Sequence, residues 1–138
     1  MVKKISELAG SGKILVMDDE EYIRDLITEI LELIGYSVES CAEGKEAVEL
    51  FRSARQHDVP FEAVILDLTI PGGMGGKDAA VQILEIDPDA LLIVSSGYSN
   101  DSVIANYRQY GFSDAIPKPF NAAAMARVLE RLIPKITG

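Results

Sequence analysis

The sequence is poor in cysteine and has no long apolar run, and each absence excludes a class of protein. Its single cysteine, Cys41, rules out an internal disulfide and is typical of a reducing compartment, so we expect a cytoplasmic domain. No apolar stretch approaches the roughly 18–20 residues that a membrane-spanning helix requires. Residues 1–12 also lack the apolar segment of a signal peptide. We therefore expect no membrane contact by this domain.

Basic residues are scarce as well. The chain has 13 lysines and arginines against 22 aspartates and glutamates, which gives a formal net charge of -9. A surface of this sign repels nucleic acid and anionic lipid, so the expected partners are proteins, cations or phosphate carriers. The one histidine, His57, lies near the predicted end of a helix. A contact with the helix dipole explains it better there than catalysis does.

The length of 138 residues suits one domain, and a hydrophobic content of 48% is enough to fill a core. Residues 1–12 end in Ala9-Gly10-Ser11-Gly12, which is typical of a flexible joint. We interpret residues 1–12 as a linker to an upstream segment or a cloning remnant. Residues 13–138 are then a single domain.

Short apolar runs alternate with helical patterns five times along the chain. The predicted strands are Ile14–Met17, Ser37–Cys41, Ala63–Leu66, Leu91–Val94 and Asp114–Pro117. After the first strand an apolar stripe at helical spacing is formed by Ile23, Leu26, Ile27, Ile30, Leu31 and Ile34, with Gly35 as C-cap. Four more helices are predicted: around residues 47–54, from about Lys77 to Asp87, from a Ser99 or Asn100 cap to Gly111, and from an Asn121 cap to Leu132.

A repeating strand–helix pattern requires right-handed crossovers and a parallel sheet that helices cover on both faces. Five such units predict an α/β fold with a doubly wound five-stranded parallel sheet in the flavodoxin-like order 2-1-3-4-5. In that arrangement the functional crevice lies at the carboxyl ends of strands one and three.

Polar side chains follow four of the predicted strands at the point where each strand ends. These residues are Asp18 and Asp19 after strand one, Asp67 after strand three, Ser95 and Ser96 after strand four, and Lys118 after strand five. Because the carboxyl ends of parallel strands meet at one edge, three carboxylates would crowd together there and repel one another. A hard divalent cation relieves this repulsion, and a set of a few carboxylates and waters suits Mg²⁺.

A carboxylate beside such a metal can attack a phosphoryl group and form an aspartyl phosphate. The charge on the transferred group needs cationic clamps and hydroxyl donors, which Lys118 and Ser96 would supply. Each residue also has a simpler interpretation. Asp18 and Asp19 could cap the first helix, Asp67 and Ser96 could be turn residues, and Lys118 could be a surface amine. Their joint occurrence at four strand ends favours a site.

Over about residues 13–133 the sequence resembles the receiver domain of two-component response regulators. The resemblance rests on Val16-Met17-Asp18-Asp19-Glu20, Leu66-Asp67-Leu68-Thr69-Ile70-Pro71, Val94-Ser95-Ser96-Gly97 and Pro117-Lys118-Pro119-Phe120. The separations of 48 residues from Asp19 to Asp67, 29 from Asp67 to Ser96 and 22 from Ser96 to Lys118 also match that family.

The resemblance implies a role for each of these residues. Asp67 is the expected phosphoacceptor, and the donor is a phosphohistidine on a histidine kinase or histidine phosphotransfer protein. Mg²⁺ would be held by Asp18, Asp19, Asp67 and the backbone carbonyl of Thr69. Ser96 would hydrogen-bond the phosphoryl group as the switch hydroxyl, and Lys118 would clamp it. Such a domain catalyses its own phosphorylation and dephosphorylation, then switches conformation or relays the phosphate, and is not a conventional multiple-turnover enzyme.

Ala115 departs from the family pattern, in which a tyrosine or phenylalanine usually moves inward with the switch hydroxyl. Either Tyr107, Tyr110 or Phe112 substitutes for it, or the output surface moves differently, or the domain only relays phosphate. Tyr98 and Thr69 would flank the phosphoryl group, and we hypothesise that Tyr98 shields it from water. The segments around these two residues are similar to receivers attached to hybrid sensor kinases.

Two other functions use similar residues. A phosphatase of the haloacid dehalogenase type also has a strand-end aspartate and Mg²⁺, but it requires an Asp-x-Asp motif that Asp67-Leu68-Thr69 lacks. The second alternative is a binding module with the receiver fold that never accepts phosphate. The joint presence of Asp19, Asp67, Ser96 and Lys118 counts against it, because a decayed site usually loses at least one.

Overall fold

The chain forms a parallel sheet with helices on both faces, as seen in a computed structural model that describes residues 12–68, 73–97, 102–118 and 121–133. The strands are β1 (Lys13–Met17), β2 (Ser37–Cys41), β3 (Ala63–Asp67), β4 (Leu92–Ser96) and β5 (Asp114–Pro117). The helices are α1 (Glu21–Ile34), α2 (Gly44–Gln56), α3 (Gly76–Ile86), α4 (Ser102–Ala105), a 3₁₀ helix (Tyr107–Tyr110) and α5 (Ala122–Leu132). The sheet order β2-β1-β3-β4-β5 confirms the predicted topology.

The register of the sheet brings four strand ends level with one another. All neighbouring strands are parallel, and Met17, the last residue of β1, pairs with Leu66, the residue before Asp67 at the end of β3. Across the next two interfaces Asp67 pairs with Ser95, and Ser96 pairs with Pro117. The polar residues that the sequence places at strand ends therefore share one edge of the sheet.

Successive side chains of a strand point to opposite faces, and each face carries its own apolar core. One core lies between the sheet and helices α1 and α5, and its buried members include Ile14, Val16, Ile27, Ile65, Ile93 and Met125. The other lies under α2, α3 and α4, with Leu15, Met17, Phe51, Leu66, Ile83 and Val94 among its members. Both faces of β3 and β4 are buried throughout, as expected for central strands of a doubly wound sheet.

Two predicted helix ends are confirmed by their cap geometry. Gly35 has a φ of 117° and donates its N–H to the carbonyls of Leu31 and Glu32, which ends α1. Asn121 Oδ1 accepts hydrogen bonds from the N–H groups of Ala123 at 2.8 Å and Ala124 at 3.1 Å, which begins α5. None of the described helices is both long and apolar enough to cross a bilayer.

Two details of the predicted helices are wrong. Leu26 lies at the edge of the α1 stripe and is 40% exposed, because Ile23, Ile27, Ile30 and Leu31 already fill the space against the sheet. The fourth helix is also not continuous. It ends at Ala105, and the 3₁₀ helix follows after Asn106, whose φ of -125° and ψ of 41° are not helical. Asparagine offers the backbone competing hydrogen bonds and so favours such an interruption.

Candidate functional site

Lys118 contacts two carboxylates at the carboxyl edge of the sheet. Its Nζ lies 2.9 Å from Asp18 Oδ2 and 3.7 Å from Asp67 Oδ1. Asp18 is 1% exposed and Asp67 5% exposed, so both charges lie beneath the surface. Buried carboxylates require a counter-charge, and Lys118, the residue directly after β5, supplies it. Lys118 is therefore part of the site and not an isolated surface amine.

The charge balance of the site keeps the Lys118 ammonium protonated. Burial alone would lower the pKa of Lys118, because it disfavours the charged form. The hydrogen bond to Asp18 and the attraction of Asp67, Asp18 and Glu20 act in the opposite direction and outweigh burial, so the pKa of Lys118 is raised. The side chain is a permanent cation at physiological pH.

Asp18 is held in place through its main chain and its side chain. Its N–H donates to the Cys41 carbonyl at 3.1 Å, which ties the end of β1 to β2. Its Oδ1 accepts from the Glu20 N–H at 2.9 Å. The N-cap of α1 is Glu20, whose side chain makes no capping hydrogen bond. The Asp18 carboxylate thus spans the β1–α1 turn and faces Lys118, and it does not cap the helix.

The β1–α1 turn concentrates negative charge. Asp18, Asp19 and Glu20 each offer a carboxylate oxygen, and these oxygens lie within 4.8 Å of one another, with Asp18 buried and the other two exposed. Glu20 also raises the pKa of the nearby Tyr22 phenol. A compact set of oxygen donors matches the ligand preference of a hard divalent cation, so the residues present fit Mg²⁺. Glu20 was not among the predicted ligands, although the acidic run Asp18–Glu21 contained the signal.

The two serines at the end of β4 are both buried, but their side chains point to opposite faces of the sheet. Ser95 is 1% exposed and Ser96 3% exposed. Ser95 is the register partner of Asp67, and its Oγ has no hydrogen-bond partner among the described residues. Ser96 has the same orientation along β4 as Val94, which packs in the core under α2 to α4. The two hydroxyls therefore lie in different surroundings.

Ala115 lies on the same face of the sheet as Ser96. It pairs with Val94 and packs against the core under α2 to α4, where Tyr107 and Tyr110 are also partly buried. Phe112 is 2% exposed and belongs to the interior of that core. Both tyrosines thus share this core with Ala115. What alanine does at position 115, where the family usually has a tyrosine or phenylalanine, stays a prediction. Thr69 and Tyr98 lie outside the described residues, so their predicted roles also stay predictions.

Comparison with known proteins identifies the family. Residues 14–130 match the response regulator receiver domain. The chain belongs to this family. It is 31% identical over 121 residues to the chemotaxis protein CheY of Thermotoga maritima, covering 87% of this chain and 96% of that protein.

Two further similarities extend the comparison to sensor kinases. The chain is 28% identical over 137 residues to sensor kinase CckA of Brucella abortus, covering 97% of this chain but 14% of that protein. In structure it is similar to the receiver domain of sensor histidine kinase PA1611 from Pseudomonas aeruginosa, with a TM-score of 0.77 and 25% identity, covering 89% of this chain and 98% of that one. The receiver recurs in free-standing regulators and within longer kinases.

Membership of the receiver family determines the general function. The chain is a receiver domain of two-component signalling, and receiver domains are signalling domains and not conventional enzymes. They interact with histidine kinases or phosphotransfer proteins. The family assignment decides against the haloacid dehalogenase alternative. The binding-module alternative differs from a signalling receiver in one property, whether Asp67 accepts a phosphoryl group.

Proposed function

We propose that this receiver accepts a phosphoryl group on Asp67 from a phosphohistidine of a histidine kinase or phosphotransfer protein. The observation that carries the proposal is the contact of one partly buried lysine, Lys118, with the buried Asp18 and Asp67 at the shared strand edge. The phosphate then drives a change of conformation or passes to a further histidine.

In the proposed reaction a carboxylate oxygen of Asp67 attacks phosphorus. A P–O bond forms, the P–N bond of the phosphohistidine breaks, and the imidazole leaves with the electron pair. Lys118 is a cation that contacts Asp67 and balances the negative charge of the incoming phosphoryl oxygens. The Ser96 hydroxyl at the end of β4 donates a hydrogen bond to one of those oxygens. Attack of water on the acyl phosphate later releases inorganic phosphate and restores the carboxylate.

Mg²⁺ is the proposed cofactor, held by Asp18, Asp19, Asp67 and the Thr69 carbonyl. The carboxylate cluster of the β1–α1 turn supports this assignment. The receiver domain of PA1611 was solved with a magnesium ion coordinated in its active site cleft. When bound, the ion neutralises charge on the phosphoryl oxygens and on the crowded carboxylates. The domain would thus catalyse its own phosphorylation and dephosphorylation.

Intact mass spectrometry after incubation with acetyl phosphate tests this proposal. Wild-type protein with Mg²⁺ is expected to gain the mass of one phosphoryl group, whereas wild type in EDTA and Asp67→Asn with Mg²⁺ gain none. Asp67→Asn is a matched control because it removes one charge and keeps the shape of the side chain. Circular dichroism verifies that the variant is folded.

The opposite results separate the alternatives. No mass gain in folded wild-type protein that binds Mg²⁺ would favour a binding module that never accepts phosphate. An equal gain in Asp67→Asn would assign the phosphate to another residue. Release of inorganic phosphate and return of the mass to that of the unmodified chain, after the acetyl phosphate is removed, is the behaviour expected of a signalling switch.

A further inference from the structure

Arg24 is a charged side chain beside the site that the proposed chemistry does not use. It lies in the first turn of α1, where its N–H donates to the Glu20 carbonyl. Its guanidinium turns back toward the sheet, and Nη1 donates a hydrogen bond to the Asp18 main-chain carbonyl at 2.8 Å. The contact spans six residues and is partly buried. The Arg24 side chain on α1 therefore hydrogen-bonds the backbone of the β1–α1 turn at Asp18, the first residue of the acidic cluster.

This contact fixes the peptide that joins the two aspartates. The Asp18 carbonyl belongs to the planar Asp18–Asp19 peptide, so holding its oxygen also sets the direction of the Asp19 N–H and Cα. The Asp18 N–H, Oδ1 and Oδ2 are held by Cys41, Glu20 and Lys118. Asp19 is exposed and, among the described residues, its carboxylate has no hydrogen-bond or ion-pair partner. The placement of the Asp19 Cα and Cβ therefore depends on the backbone that Arg24 holds.

We propose that Arg24 is a positioning residue that orients the Asp18–Asp19 peptide so that both carboxylates face one divalent cation. This inference rests on the proposed Mg²⁺ site. An arginine suits the task because its guanidinium is planar, always charged, and has several N–H donors in fixed directions. Residues that orient metal ligands in this way usually change metal affinity about 10-fold or more when they are replaced.

The direction of the change in Mg²⁺ affinity separates a positioning role of Arg24 from an effect of its charge. Arg24 is a cation close to three carboxylates, and a simple charge effect predicts that its removal strengthens the attraction for Mg²⁺. Positioning predicts the opposite, since Asp19 loses its fixed direction and the cation must order it on binding. Arg24→Met removes both the charge and the donors, and it is the informative variant. Arg52→Met is the matched control, because Arg52 is an exposed arginine of α2 and its loss changes the net charge equally.

Direct titration with Mg²⁺ by calorimetry, in the absence of any phosphodonor, is the first measurement. Arg24→Met is expected to bind Mg²⁺ about 10-fold more weakly than wild type, with Arg52→Met unchanged. The rise in melting temperature on adding Mg²⁺ should shrink in the same variant. With acetyl phosphate, the half-saturating Mg²⁺ concentration should rise while the rate at saturating Mg²⁺ stays close to wild type. A purely structural role would lower the melting temperature in EDTA and leave the Mg²⁺ dependence unchanged.

Equal or tighter Mg²⁺ binding by folded Arg24→Met would overturn the positioning role. If Arg24→Met does not fold, Arg24→Lys becomes the deciding variant, because it keeps the charge and loses the planar set of donors. Weaker Mg²⁺ binding by Arg24→Lys then supports the inference, and unchanged binding overturns it. Failure of wild type itself to bind Mg²⁺ contradicts the proposed cofactor instead, so the two claims fail in different experiments.

Discussion

Lys118 lies closer to Asp18 than to Asp67, at 2.9 Å against 3.7 Å from Nζ to the nearest carboxylate oxygen. The lysine at the end of β5 thus reaches across the sheet edge to β1 while remaining in contact with the proposed phosphoacceptor on β3. One cation balances two buried anions, and the site has negative charge to spare for a divalent metal. Stability and metal binding at this edge are therefore expected to be coupled.

Replacement of Lys118 by Met should destabilise the protein most when Mg²⁺ is absent. Two buried carboxylates lose their counter-charge, so we expect unfolding in urea with EDTA to show a loss of about 1–3 kcal/mol. Mg²⁺ should recover part of that loss because it replaces the missing positive charge. Lys45→Met, at an exposed lysine of α2, is the control. An equal loss with and without Mg²⁺ would contradict the coupling.

The contribution of Lys118 should also depend on pH. Its pKa is raised in the folded protein. The stabilisation is therefore complete below the unfolded value of about 10.4 and declines as pH rises through the higher folded value. The difference in unfolding free energy between wild type and Lys118→Met should be constant from neutral pH to about pH 10 and narrow above it. A difference that narrows already near neutral pH would show that another group is titrating.

Cys41 should be unreactive in the folded protein. Burial at the end of β2 raises the pKa of its thiol to about 12, so little thiolate forms under mild alkaline conditions. Alkylation by iodoacetamide should be slow in native protein and fast in urea. Because the folded pKa exceeds the unfolded value of about 8.5, the stabilisation from this group is present below that pH and is lost as pH rises toward the folded value. Cys41→Ala should remove this part of the alkaline destabilisation.

Gly76 should not tolerate a side chain, because the start of α3 packs directly on the end of β3. A Cβ at this position would lie 2.6 Å from the Asp67 carbonyl oxygen. Gly76→Ala should therefore cost about 1–3 kcal/mol in urea unfolding. A Cβ at Gly97 would meet no atom of the described residues within 4 Å, so Gly97→Ala is the control and should be nearly neutral. Equal effects of the two substitutions would contradict the close approach of α3 to Asp67.

The two serines of β4 should respond differently to alanine. Ser95 Oγ is buried and has no hydrogen-bond partner in the part of the chain that the structure describes, so Ser95→Ala should be neutral or stabilising by up to about 1 kcal/mol. Ser96→Ala removes the proposed hydroxyl donor to the phosphoryl group and should slow phosphorylation by acetyl phosphate about 10-fold or more. The reverse pattern of phosphorylation rates would assign the hydroxyl role to Ser95.

The sequence predicted the sheet and the convergence of the strand ends, because both follow from local patterns. β2 and β5 have the predicted bounds, and Gly35 and Asn121 end and begin their helices as expected. The break at Asn106 was not predicted, because the pattern of Val103, Ile104 and Tyr107 is the same for one helix or two short ones. The side-chain contacts within the site could also not be predicted from the sequence. The preference of Lys118 for Asp18 and the hydrogen bond from Arg24 depend on three-dimensional positions that spacing does not specify.

Chemical mapping of the phosphorylated residue tests the central claim most directly. Borohydride reduces an acyl phosphate to an alcohol, so an aspartyl phosphate becomes homoserine and can be located by peptide mass spectrometry. After treatment with acetyl phosphate and Mg²⁺, we expect homoserine at position 67 of the wild-type chain and none in EDTA. Homoserine at position 18 or 19, or its absence from protein whose mass has risen by one phosphoryl group, would contradict the assignment of Asp67 as the phosphoacceptor.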